Sequence, residues 1–168
     1  MSAAAVPATL HLPVDLYSSD QLGTVILELH DYIDALRDEN ARTKAGGKKA
    51  DEPLHVSALL LGVFHGSGLK LGNIEAAEKL QKGLEAIHGK APVAHLSLAA
   101  LPARTLKRQL TVWFRSQVHP YMLLTFAMRA DICGGIVVQT GSHVWDLSFR
   151  EPLINNRARI AELAGDVR

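Results

Sequence analysis

Apolar residues at Leu22, Val25, Ile26, Leu29, Ile33 and Leu36 recur at the i, i+3, i+4, i+7 spacing of a helix with one buried stripe. Ser18 and Ser19 stand where such a helix needs a cap, and Glu28, Asp31, Asp34 and Arg37 occupy its solvated side. The pattern stops at Arg37. The polar segment 37–53, which holds Gly46-Gly47-Lys48-Lys49, reads as a linker or mobile loop, and residues 1–13 as a flexible arm. Residues 54–64 are apolar almost all round, so they predict a helix that must be covered by the rest of the molecule or by a partner, ended by Gly66-Ser67-Gly68. Asn73 then caps a third helix running to about Ile87, with Ile74, Ala77, Leu80, Leu84 and Ile87 on one side and Gly89 and Pro92 closing it.

From Pro92 the period shortens. Val93, His95 and Ser97 alternate with Ala94, Leu96 and Leu98 as in a strand. Pro102 sits where helices begin, and Leu106, Leu110, Trp113, Phe114 and Val118 form a helical stripe that His119-Pro120 breaks. A strand over 121–128 and a turn at Ala130-Asp131 follow. Residues 132–148 read as a tight hairpin, with β-branched residues on either side of Gly141-Ser142 and Gly at the first central position of a type II′ turn. The hairpin runs into an amphipathic helix over 150–164, whose apolar side is Leu153, Ile154, Ile160, Ala161 and Ala164 and whose polar side carries Arg150, Arg157 and Arg159. Two starts are open for it: a capping box between Ser148 and Glu151, or a start at Glu151 with Pro152 as the first helical residue. The fold class is α+β. A helical domain over 1–90 precedes a small βαβββα domain over 91–168.

A chain of 168 residues accommodates two small halves, and its net charge of +1 carries no global footprint for nucleic acid or an anionic membrane. The longest apolar run, residues 58–64, is far short of the ~20 residues a membrane span requires, and the small apolar start lacks the basic residues of a secretory signal. The single cysteine, Cys133, excludes an internal disulfide framework; beside two glycines and without a neighbouring His or Lys it reads as a small buried residue.

No catalytic pattern competes with these structural assignments. The eight histidines are scattered, with no HExxH helix and no CxxC at finger spacing, and read as surface or capping residues. Residues 62–70 hold glycines ahead of Lys70, but no Ser or Thr follows that lysine and no strand precedes the segment, so a helix terminus is the better account. Asp146 and Ser148 lack the strand–elbow–helix setting of a nucleophile and read as shaping the hairpin-to-helix junction. Trp113 and Phe114 read as a core stripe on a helix whose outer face is basic, and Trp145 as either core or an exposed anchor.

Residues 91–164 closely resemble the C-terminal part of the delta subunit of rotary ATP synthases, the family of the mitochondrial oligomycin-sensitivity-conferring protein. The resemblance lies in an order of parts. Residues 93–102 look like its strand and helix entry, 106–118 like its next helix, and Ala130-Asp131-Ile132-Cys133-Gly134-Gly135 like its Asp-x-x-Ile-Gly-Gly segment. Val144-Trp145-Asp146-Leu147-Ser148 looks like its hydrophobic-Asp-x-Ser element. Cys133 and Leu147 depart from it, standing where an aliphatic residue and a glycine are frequent, and the three helices of the first half match the family's six-helix bundle loosely.

The resemblance implies a non-catalytic stator subunit with no cofactor and no metal, held at the cytoplasmic face of the cell membrane without inserting into it. It implies two partners. Leu22, Val25, Ile26, Leu29 and Ile33 with Leu59, Leu60 and Val63 would receive the N-terminal helix of the head's alpha subunit. Leu153, Ile154, Ile160 and Leu163 would meet the b subunit of the peripheral stalk. Gly134, Gly135, Gly141, Asp146 and Ser148 would shape the domain. The alternative is a small RNA-binding or translation-associated module using Arg104, Lys107, Arg108 and Arg115.

Overall fold

The computed structural model describes residues 10–46, 55–141, 143–157 and 159. Helix α1 spans Ser19–Lys44, α2 Ala58–Gly66 and α3 Ile74–Lys90; strand β1 (Val93–Leu98), helix α4 (Arg104–Gln117), strands β2 (Leu123–Met128), β3 (Gly135–Thr140) and β4 (His143–Ser148), and helix α5 (Arg150–Asn155) follow. The chain is therefore α+β, and its second half has the βαβββα order expected of it.

Local chemistry accounts for most boundaries. Ser18 caps α1 in a full capping box, its side chain accepting from the Gln21 N–H while Gln21 reaches back to the Ser18 N–H. Ser57 caps α2 and is itself held by Glu28 of α1, whose Oε2 accepts from the serine hydroxyl at 2.7 Å. At its other end α2 closes in a Schellman motif: the Gly68 N–H donates to His65 and the Leu69 N–H to Phe64. This confirms residues 62–70 as a helix terminus. Asn73 caps α3 as its sequence predicts.

Three boundaries in the first half differ from expectation. Helix α1 continues past Arg37 to Lys44 because residues 37–44 are mostly good helix formers needing no buried stripe; Arg37 pairs with Asp34 and, at 2.7 Å, with Glu78 of α3, and Arg42 and Lys44 suit the negative helix end. Only Gly47 to Leu54 of the expected loop and its flank lie outside the described residues. Helix α2 starts at Ala58, where Ser57 supplies the cap, so the expected start at 54 is too early. Of the expected arm, residues 10–13 are held against the molecule, with Leu10 buried; residues 1–9 lie outside the described ones.

The sheet order is β2-β1-β3-β4, with β1–β2 parallel and the other pairs antiparallel. Its two faces have different neighbours. Leu123 and Val93, on one face, join the core that α1, α2 and α3 build from Leu16, Leu22, Leu29, Ile33, Phe64, Leu80, Leu84 and Ile87. The opposite face carries Ala94, Leu96 and Leu124, which pack with Phe114 of α4. The order of layers is thus helices, sheet, helix.

Residues 10–17 bridge the two halves, and Arg115 of α4 holds them there. Its Nη1 donates to the carbonyls of Leu12 and Pro13 at 3.0 Å each, its Nη2 to Leu16 at 2.5 Å, and its Nε to Met122 at 3.4 Å. Burial lowers the guanidinium pKa to about 10, so it keeps its charge at neutral pH and satisfies four backbone acceptors. The Leu124 N–H adds a bond to the Tyr17 carbonyl at 2.6 Å.

Candidate docking surface

Among the described residues, the second half leaves an apolar groove open. Helix α4 covers only the β1–β2 side of its sheet face; beside it Ile136, Val138 and Thr140 of β3 and Trp145 and Leu147 of β4 form a floor, and Leu110, Trp113, Phe114 and Val118 form a wall. The strand register explains the shared face, since Val138 pairs with Trp145 and Ile136 with Leu147. The groove holds about 530 Å³. Trp113 is 55% and Trp145 50% exposed, while Leu147 is 63% exposed. The expectation that Trp113 belongs to a core stripe is corrected accordingly: one helix cannot cover four strands, and Trp113 falls on the side of α4 that faces the gap. His143 stacks on Trp145 with ring centroids 5.7 Å apart. Large, half-exposed aromatics beside an apolar trough are the composition of binding anchors.

The hairpin-to-helix junction beside the groove is close-packed. A methyl on Gly134 would lie 2.7 Å from the Phe149 ring, and one on Gly135, at φ +78°, would run into the Leu147 carbonyl. The paired glycines therefore let the chain before β3 pass directly under the start of α5, where the Phe149 N–H donates to the Gly134 carbonyl at 3.0 Å. Cys133 just ahead has left-handed backbone, φ 51°, and is exposed. The expected buried thiol is thus corrected: the tight approach of Gly134 to Phe149 leaves the cysteine side chain outside. Gly141 opens the hairpin turn at φ +53°, whereas Ser142 lies outside the described residues.

Asp146 accepts from the Ser148 N–H at 2.9 Å, and hydrogen bonding from Ser148, side chain first, holds its pKa below the usual carboxylate range. Asp131 is likewise lowered, mainly by Arg129, whose guanidinium donates to both its oxygens. Arg150 of α5 comes within 4.0 Å of Asp131. Neither expected helix start occurs. The N-cap is Phe149, with no side-chain bond to it, because Ser148 still belongs to β4 and its polar groups are turned to Asp146. Pro152 is the third helical residue, where its missing N–H has no partner to lose; the first helical bond is Leu153 N–H to the Phe149 carbonyl.

The residues named from sequence for partner contact divide sharply. Leu22, Val25, Leu29, Ile33, Leu60 and Val63 are all buried in the helical core, so they are spent on one another; Ile26 and Leu59 remain partly exposed at its edge. A stripe at i, i+3, i+4, i+7 marks a buried face without saying whether a neighbour within the chain or a partner buries it. Leu153 and Ile154 are 42% and 62% exposed on α5, whereas Ile160 and Leu163 lie outside the described residues. The groove itself escaped the sequence, although Trp145 and the thin cover of a four-stranded sheet by one helix were its signals.

The four cations of the alternative RNA interface are engaged within the molecule. Arg104 and Arg108 pair with Asp15 at 3.2 and 3.6 Å. The Lys107 ammonium lies over the Tyr17 and Phe126 rings, 5.5 and 5.7 Å from their centroids, and Arg115 is committed to backbone carbonyls. Among the described residues, no group of three or more His, Cys, Asp or Glu is placed to hold a metal ion, and no helix is long and apolar enough to cross a membrane. Compared with known proteins, the sequence matches no family model and no curated protein.

Proposed function

We propose that this chain is the delta-type stator subunit of a proton-translocating ATP synthase, a non-catalytic tether between the catalytic head and the peripheral stalk, held peripherally at the cytoplasmic face of the cell membrane. The observation that carries it is the hairpin-to-helix junction, in which the double glycine and the hydrophobic-Asp-x-Ser element, quoted above for the family resemblance, are the groups that set the path of α5: Gly134 and Gly135 pass beneath Phe149 and Leu147, and Asp146 ties the Ser148 amide.

A stator's task is mechanical. The head must not turn with the rotor, so the tether needs a strong joint at each end, and a nanomolar joint corresponds to about 12 kcal/mol. Exposed apolar side chains on α5 and around the groove offer desolvation of that kind without a catalytic group. Leu153 and Ile154 are assigned to the b subunit of the stalk. With most of the first stripe buried, contact with the alpha subunit's N-terminal helix on the helical half falls to Ile26 and Leu59. A tagged copy of the chain should co-purify with the alpha and b subunits from detergent-extracted membranes of its own cell. Recovery free of both would overturn the assignment.

A further inference from the structure

We propose that β4 is a docking edge for a second copy of this chain, the two β4 strands pairing antiparallel about a two-fold axis at Trp145 so that the sheets of the two copies join. The two edges of the sheet differ. On the β2 side residues 10–17 lie against the edge, and the Leu124 N–H is spent on the Tyr17 carbonyl. On the β4 side, among the described residues, no further strand pairs, and Val144, Trp145 and Leu147 are at least half exposed.

Strand β4 also lacks the devices that keep an edge from pairing. It contains no proline and no lysine, and its register with β3 runs from His143 to Ser148 without a bulge. Its one carboxylate, Asp146, is folded back along its own strand to accept from the Ser148 N–H.

Main-chain geometry selects the occupant and the register. The Phe149 N–H donates to the Gly134 carbonyl, and hydrogen-bonded pairs alternate along an antiparallel ladder. Trp145 and Leu147 therefore turn their N–H and C=O groups to β3, while Val144 and Asp146 turn theirs outward. Centring the two-fold on Trp145 sets Val144 of each copy opposite Asp146 of the other, and each such pair exchanges both N–H···O bonds. The two Trp145 rings then lie side by side on the groove face as a non-hydrogen-bonded pair, the closer kind. Moving the axis to Asp146 would set like charges directly opposite and would call on the Ser148 N–H that Asp146 already holds. In the Trp145-centred register a second copy satisfies the outward main-chain groups, the apolar side chains and the charge together. The groove of one copy continues into that of the other across the paired tryptophans. This pairing stands on the β4 edge and is independent of the stator assignment.

Sedimentation equilibrium of the purified full chain should show monomer and dimer exchanging in the micromolar range. Val144→Pro removes an outward N–H without touching the ladder to β3 and should leave a monomer, its fold checked by circular dichroism. Two charge variants at the same exposed site read the register and decide alone if the proline variant fails to fold. Val144→Asp faces Asp146 of the second copy and should weaken the dimer by about tenfold, whereas Val144→Lys faces the same carboxylate and should dimerise at least as tightly as the natural chain. In a chain carrying Cys133→Ser, Trp145→Cys should oxidise to a disulfide-linked dimer, because a non-hydrogen-bonded pair brings its Cα atoms to about 4.5 Å; Val144→Cys, which faces Asp146, should not. A chain that stays monomeric at every concentration overturns the proposal. So does a dimer that survives Val144→Pro, an equal effect of the two charge variants, or failure of Trp145→Cys to cross-link.

Discussion

The two halves of this molecule use the same apolar vocabulary to different ends. In the helical half, α1, α2 and α3 turn their stripes on one another, and Leu22, Leu29, Leu60, Val63, Phe64, Leu80 and Leu84 lose nearly all contact with solvent. Among the described residues of the α/β half a single helix covers part of a four-stranded face, and Trp113, Trp145, Leu147, Leu153 and Ile154 are 42% to 63% exposed. One half buries its apolar surface within itself, and among the described residues the other leaves apolar surface uncovered. Between them Arg115 and the 10–17 segment form the joint, through backbone carbonyls and a shared core at Leu123.

This contrast has measurable consequences. Phe64→Ala removes a wholly buried ring from the helical core and should lower stability by about 3–5 kcal/mol in urea unfolding. Arg115→Met keeps the length of the side chain but leaves four carbonyl acceptors without their donor, and about 2–3 kcal/mol should be lost, with residues 10–17 becoming open to proteolysis. Gly135→Ala drives a methyl into the Leu147 carbonyl and should destabilise by about 1–3 kcal/mol, with faster hydrogen exchange confined to β3, β4 and α5 if the halves respond separately. Leu153→Ala, on the exposed side of α5, should change stability by no more than about 0.5 kcal/mol.

The smallest effect concerns acid. Asp146 and Asp131 have folded-state pKa values below the ordinary carboxylate value of 3.8. Groups depressed in this way contribute in full above that value and lose their contribution as pH falls through the lower folded-state value. The junction should therefore hold at pH 5 and loosen only well below pH 3.8, which the exchange rate of the Phe149 amide against pH would show.

Much of the fold is legible in the sequence, and the particular failures share a cause. The capped starts of α1 and α3, the β1 alternation and the Gly141 hairpin are set by local chemistry, so spacing and capping residues suffice. Helix α1 beyond Arg37 carries no apolar stripe; what keeps it helical is propensity and its pairing with α3 through Glu78, neither of which periodicity reports. Ser148 has the spacing of a capping residue, but strand pairing with Gly135 holds it in β4 and moves the cap to Phe149. The candidate site divides the same way. Leu153 and Ile154 are exposed on an apolar helix face, whereas Leu22, Val25, Leu29 and Ile33 face a core, and only the positions of α2 and α3 distinguish the two cases. The groove arises from strands and a helix far apart in sequence, and no local pattern contains it.

The central claim is that the α/β half is the stalk-facing end of a tether, with α5 exposed for that contact. It is tested most directly by titrating the purified chain with purified b subunit in a calorimeter, using the natural chain and the variant carrying Leu153→Asp and Ile154→Asp, each checked for folding by circular dichroism. The account predicts tight binding by the natural chain and at least about a hundredfold weaker binding by the folded variant, the loss of two buried apolar contacts worth about 1.5–3 kcal/mol each. No binding by the natural chain, or equal binding by both, would contradict it.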